Sequence, residues 1–130
     1  HATHLKIPSS YVTFLPPTGD VNYIHQFLNT LDFYTHARLD GEQCSTALME
    51  AMFHGLPIIS HDAPSMGQAD QIGDSGFVCR SCDEYAHRIL DLCEADFRAE
   101  LSLLAKKRYE EKYSLSSVVD SYVEIYDTIS

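Results

Sequence analysis

The stretch Glu42-Gln43-Cys44-Ser45-Thr46-Ala47-Leu48-Met49-Glu50-Ala51-Met52-Phe53-His54-Gly55-Leu56-Pro57-Ile58-Ile59-Ser60 decides how the chain is read. Ser45 suits a helix N-cap, and Ala47, Leu48, Ala51 and Met52 fall on one face at helical spacing. Gly55 is placed to end that helix, with Pro57 just beyond it. Pro57 to His61 then reads as a buried strand, so the stretch is a helix feeding directly into a strand.

Upstream, Asp20 can cap a helix through about Thr30, with Val21, Ile24, Phe27, Leu28 and Leu31 at helical spacing. Asp32 to His36 is strand-like, and Ala37 to Cys44 is a polar connection. Tyr11-Val12-Thr13-Phe14-Leu15 is β-branched and aromatic, which predicts a further strand stopped by Pro16-Pro17. Downstream, residues 62–76 hold Pro64, Gly67, Gly73 and Gly76 and read as loop, with a turn of helix around Gln68 to Ile72. Gly76 to Cys79 is the last short strand, and helices are expected over about 83–94, 95–112 and 115–129. The final one carries Leu115, Val118, Tyr122, Ile125, Tyr126 and Ile129 as an apolar stripe, with Tyr122 and Tyr126 as packing residues. Strands separated by helices imply an α/β fold: a Rossmann-like, doubly wound parallel sheet. Ligands of such sheets bind at the carboxyl ends of the strands. That selects Ala37 to Ser45 and Asp62 to Gly67.

Composition narrows the function. The chain has 130 residues, a single domain's worth, and a formal net charge of −10. Phosphate backbones demand a basic face, so a nucleic-acid partner is not expected. No apolar run reaches the roughly 18–20 residues a membrane helix needs. The chain opens at His1 rather than Met and shows no basic-then-apolar signal segment at its start, so we expect a fragment or a processed chain, cytoplasmic in location. Cys44, Cys79, Cys82 and Cys93 are expected to be reduced thiols. Cys79, Cys82, His87 and Cys93 are one residue off a zinc-knuckle spacing. On a helix, however, the six residues from His87 to Cys93 turn through about 600°, leaving the two side chains roughly 120° apart. No metal site is expected.

The loop running into the central helix offers free N–H groups and a positive dipole end, with Thr46 and Ala47 supplying the N–H groups and the Ser45 and Thr46 hydroxyls able to add bonds. This suits a phosphate or diphosphate. No Walker loop and no Gly-x-Gly-x-x-Gly occurs. Glu50 lies about one turn inside the helix and leans back toward Thr46. Two acids, Glu42 and Glu50, beside an anion site fit a phosphate flanked by hydroxyl-rich rings. On spacing alone, a surface Glu and a helix-face Glu explain the pair more simply. Lys106 to Lys112 reads as a solvated charged helix face, and His54 as an exposed residue whose cation suits the helix end.

The wording of the central segment resembles a family signature. Glu42 to Glu50 is similar to the E-x7-E motif of retaining GT-B glycosyltransferases (group 1, family 4-like), and Glu50 to Ser60 to the E-A-M-x-x-G-x-P-V/I-I entry that follows it. Leu31 to Tyr34, Asp74 to Val78 and the Tyr109 to Tyr113 tail resemble further family motifs in the same order, so the likeness spans about Tyr11 to Ile129.

The resemblance implies that residues 1–130 are one half of a GT-B fold: the C-terminal, donor-binding domain, with the N-terminal acceptor domain missing. It implies a UDP-sugar or GDP-sugar as substrate, no bound cofactor, metal-independent hexosyl transfer with retention, and a membrane association, if any, through the missing half. Glu42 would be the catalytic carboxylate at the transferred sugar. Gln43, Cys44, Ser45, Thr46 and Glu50 would bind the donor, the backbone of Cys44 to Thr46 holding the diphosphate and Glu50 the ribose. His36, Ser65, Met66 and Gly67 are candidate donor-loop residues.

Departures exist. The family often has Phe-Gly where this chain has Cys44-Ser45, and Asp62 to Gly67 replaces a Gly-Gly-x-x-E pattern. The family's upstream Arg and Lys have only Lys6 as a candidate here. A fragment on its own is expected to be inactive. The competing reading is a non-catalytic flavodoxin-like or receiver-like partner-binding module. Asp32 begins its strand rather than ending it, which counts against a receiver.

Overall fold

The computed structural model describes residues 8–37, 43–62 and 67–129. The expectations for Lys6, Glu42, Ser65 and Met66 lie outside the described residues. Among those described, three strands form a parallel sheet: β1 (Tyr34–His36), β2 (Ile58–His61) and β3 (Gly76–Cys79), in the order β1-β2-β3. Tyr34 pairs with Ile58, and Ile58 with Gly76. Six α-helices accompany them: α1 (Val21–Leu28), α2 (Thr46–Phe53), α3 (Gln68–Ile72), α4 (Cys82–Asp91), α5 (Ala95–Lys112) and α6 (Leu115–Ile129).

The period-2 geometry of β2 builds two cores. Ile58 faces the side covered by α1, α2 and α5, where it packs with Leu28, Leu48, Ala51, Met52, Leu56 and Ala105. Ile59 faces the other side and packs with Cys79, Leu92 and Leu101. Both isoleucines are fully buried. A strand buried on both faces reads as a continuous apolar run, which is why Pro57-Ile58-Ile59 was legible as a strand. The sheet is therefore helix-flanked on both faces, a Rossmann-like half.

Local chemistry sets the helix ends. Asp20 caps α1, its Oδ1 accepting from the N–H groups of Asn22 at 3.0 Å and Tyr23 at 3.2 Å. At the end of α2, Gly55 takes φ 69°, and Gly55 N–H donates to Met52 O at 2.8 Å while Leu56 N–H donates to Ala51 O at 2.9 Å. That is a Schellman cap, and it turns the chain straight into β2.

Two sequence expectations are corrected. Tyr11 to Leu15 is not a strand: Ser9–Tyr11 is a single 3-10 turn and residues 12–20 have no regular structure. A strand is stable only with a ladder partner and a buried face. Here Tyr11 and Phe14 are 81% and 80% exposed, and Pro16 and Pro17 have no N–H to give. Tyr122 and Tyr126 are not buried either, at 60% and 67% exposed. The apolar stripe of α6 forms as a helix, but none of its residues is buried. Among the described residues, no helix is long and apolar enough to cross a membrane.

Candidate donor site at the start of helix α2

The site begins with the loop that enters α2. Gln43 and Cys44 are exposed, while Ser45 is 2% exposed and occupies the N-cap position with extended backbone angles. Its hydroxyl makes no capping bond. The cap is replaced by a side chain from another element: Gln71 of α3 accepts from Ser45 N–H through Oε1 at 2.8 Å and donates from Nε2 to Ser45 O, also at 2.8 Å. Gln71 Nε2 also lies 3.8 Å from Cys44 Sγ. The Ser45 N–H and carbonyl are thus both held by Gln71. The first intrahelical bond runs from Met49 N–H to Ser45 O, so Thr46 and Ala47 N–H precede the ladder and stand at the positive end of the dipole.

Beside that end lies an open cavity of about 260 Å³, lined by His25, Thr46, Met49, Glu50, Phe53, Tyr109 and Tyr113. The spacing of α2 explains its floor: residues 46, 49, 50 and 53 share one helical face. Glu50 and Thr46 meet in this cavity, as their four-residue separation dictates. The walls come from α1 and α5. Met49, Phe53 and the tyrosines make the pocket chiefly apolar, with Glu50 as the ionisable acid in it. Burial raises the Tyr113 phenol above its ordinary value, so it keeps its proton and donates to Gln71 O at 3.3 Å.

His25 links the cavity to the far end of α2. Its Nδ1 lies 2.7 Å from His54 Nε2, and His54 Nδ1 lies 2.8 Å from Asn29 Oδ1. An amide oxygen only accepts, so His54 Nδ1 carries a proton and the neutral His54 Nε2 accepts from His25. Burial, with His25 and Lys106 nearby, pushes the His54 pKa below 6.5 against the opposing pull of Glu50. His54 is therefore a half-buried neutral acceptor, not the exposed cation the sequence suggested.

The remaining candidates are placed as follows. His36 ends β1, is 9% exposed and stacks on Tyr34 at 6.1 Å; it is not among the residues lining the cavity. Gly67 opens α3 against Gln43, close enough that a Cβ there would run into the Gln43 carbonyl oxygen. Among the described residues no three His, Cys, Asp or Glu side chains gather as metal ligands, and Cys79, Cys82 and Cys93 are free thiols, with Cys79 buried on β3.

Residues missed from the sequence are His25, Met49, Phe53, Tyr109, Tyr113, Gln71 and Arg108. Arg108 was taken for part of a solvated face. Its side chain is 14% exposed, and it donates through Nε to Gln71 O at 2.7 Å and through Nη2 to Asp70 O, with Nη1 3.6 Å from Asp74. Lys107 next to it does behave as the surface charge expected, 3.8 Å from Glu111. Helical periodicity in the Lys106 to Lys112 run could have flagged Arg108: it stands three residues beyond the buried Ala105.

The sequence profile of one protein family, Glycosyl transferases group 1, matches residues 3–95. No curated protein matches the sequence.

Proposed function

The chain belongs to the group 1 glycosyl transferases, and from that premise we propose that it is the donor-binding half of a cytoplasmic GT-B enzyme. The donor would be UDP-sugar or GDP-sugar, and the sugar would pass with retention to an acceptor held by a second, N-terminal domain. The observation that carries this reading is the meeting of Thr46 and Glu50 in one cavity at the open end of α2. Free N–H groups there suit a diphosphate, and a carboxylate one turn away suits ribose hydroxyls. The apolar walls suit the faces of rings.

The chemistry follows from those parts. As the bond between the anomeric carbon and the diphosphate breaks, charge develops on the departing diphosphate oxygen. The α2 dipole and the Thr46 and Ala47 N–H groups are aimed where that charge grows, which lowers the barrier without a bound metal. Glu42 would stabilise the positive charge at the anomeric carbon, and the acceptor oxygen would bond to that carbon as its proton passes to the departing diphosphate oxygen. Gln43 and Cys44 would flank the diphosphate. Ser45 would act through its backbone position rather than its hydroxyl, which is buried.

Calorimetric titration of the 130-residue chain with UDP and GDP tests the reading. Binding of one of them is expected, weakened roughly ten- to hundred-fold in Glu50→Ala and unchanged in Glu110→Ala, because hydrogen bonds to a charged group are worth about 1.5–3 kcal/mol. Equal binding by wild type and Glu50→Ala, or none by either, overturns it. Two-domain transferases also align donor and acceptor between their halves, an effect worth roughly 7–11 kcal/mol of barrier. The chain alone is therefore expected to transfer no sugar in a turnover assay with nucleotide sugars. Robust transfer would show that the half-enzyme reading is wrong.

A further inference from the structure

We propose that Gln71 is a positioning residue for the diphosphate-facing end of α2, set from behind by Arg108. The inference rests on the diphosphate reading of that end and adds the device that holds it in place.

Four observations converge. Gln71 is 4% exposed, and both atoms of its amide are spent on the backbone of Ser45. A two-point amide clamp holds the peptide groups on both sides of Ser45, which a single hydroxyl cap does not. Its own carbonyl is held in turn by Arg108 Nε at 2.7 Å and by the Tyr113 phenol at 3.3 Å, so the residue is gripped on both sides. One turn earlier on α3, Gln68 is 1% exposed and its side-chain amide lies against the Ser60 hydroxyl, whose single proton also faces His36 O at 3.0 Å. Hence α3, only five residues long, is stitched to the sheet through Gln68 and to α2 through Gln71. Lastly, Gly67 allows the start of α3 to touch the Gln43 carbonyl, bringing the two loops together ahead of the clamp.

The consequence is geometric. The N–H groups of Thr46 and Ala47 follow Ser45 directly, so the orientation of the Ser45 peptide sets where they aim. With the clamp intact they stay fixed before a ligand arrives, and binding orders nothing new. Without it the first turn of α2 frays, as an uncapped helix end does. Phosphate binding should weaken and nucleoside binding should not, because Glu50 and the cavity walls lie beyond the frayed turn. Arg108 and Tyr113 fall outside the family-matched residues, so the clamp is set by a part of the chain that the family profile does not cover.

The experiment compares wild type, Gln71→Leu and Gln71→Glu by amide hydrogen exchange and by titration with UDP and with uridine. In Gln71→Leu, exchange at Ser45, whose N–H loses its acceptor, and at Met49, whose N–H bonds to Ser45 O, is expected to rise by about ten-fold while Ile58 to Ser60 holds. UDP binding should weaken by about ten-fold with uridine unchanged. Gln71→Glu keeps the acceptor for Ser45 N–H and regains the donor only when protonated. Its UDP affinity relative to wild type should therefore recover as pH falls, which a packing defect would not reproduce. A uniform rise in exchange, equal losses for UDP and uridine, or no change at Ser45 and Met49 overturns the inference. Should wild type bind neither UDP nor GDP, the donor-site reading falls, and the exchange pattern still decides whether Gln71 positions the helix end. Should Gln71→Leu not fold, Gln71→Glu carries the same comparison.

Discussion

At its start, α2 is held by an amide that never titrates; at its end, it is held by an imidazole, His54, that does. Gln71 clamps the Ser45 backbone, and behind Gln71 stands the permanently charged Arg108. His54, at the other end, is tied to His25 and Asn29 through ring nitrogens whose bonding depends on protonation. One short helix thus has an end whose geometry is independent of pH and an end whose geometry is not. The independent end is the one that would meet a charged ligand. The titratable end reaches the same cavity through His25 and Phe53.

The largest way to break this comparison acts on the first end. Arg108→Met keeps the stem and removes the guanidinium, leaving the carbonyls of Gln71 and Asp70 without their charged donor. A loss of about 2–3 kcal/mol is expected in denaturant unfolding, the upper range for bonds to a charged group. A loss no greater than that of Lys107→Met, a surface charge next to it, would mean that Arg108 holds nothing.

A smaller effect is expected at the second end. Gly55 needs its positive φ, and a Cβ there would crowd the Lys106 side chain and Ser102 Oγ. Gly55→Ala is expected to cost about 1–2 kcal/mol, the usual penalty of a left-handed residue with a side chain. Neutral or improved stability would show that the turn into β2 relaxes freely.

The smallest effect is a slope. His54 is held below 6.5 in the fold, so as pH falls the unfolded chain takes up its proton first. The stability contributed by neutral His54 is present above about 6.5, drains as pH drops below it, and levels off once the folded pKa is passed. The unfolding midpoint measured from about pH 7.5 down to about 5.5 should fall less steeply in His54→Gln, which can still accept from His25 and donate to Asn29. Parallel slopes would place the pH sensitivity elsewhere.

Much of the fold was legible because its signals are local. Asp20, Gly55 and Pro57 mark ends by backbone chemistry that needs no neighbours, and Ile58-Ile59 is apolar enough to be a strand in any context. The Glu50–Thr46 pairing in the cavity followed from helical spacing alone. Tyr11 to Leu15 shows the limit. Its strand propensity is real, but a strand exists only when another strand accepts its bonds, and among the described residues none does. The stripe on α6 was read correctly as a helix face, yet a stripe does not say what covers it, and here its residues stand exposed.

The sequence by itself determined the order of helices and strands from Asp20 onward, the place of the glycine stop, the face that carries Thr46 and Glu50, and the resemblance that led to the family. Each depends on residues within a few positions of one another. Only the tertiary structure decided that Ser45 is capped by Gln71, that Arg108 is interior while Lys107 is not, and that His25, Tyr109 and Tyr113 wall the cavity. These contacts join α1, α3 and α5 to α2 across long separations in the chain. A glutamine or arginine carries no local mark of the carbonyl it will meet, because its partner is chosen by how the helices pack on the sheet.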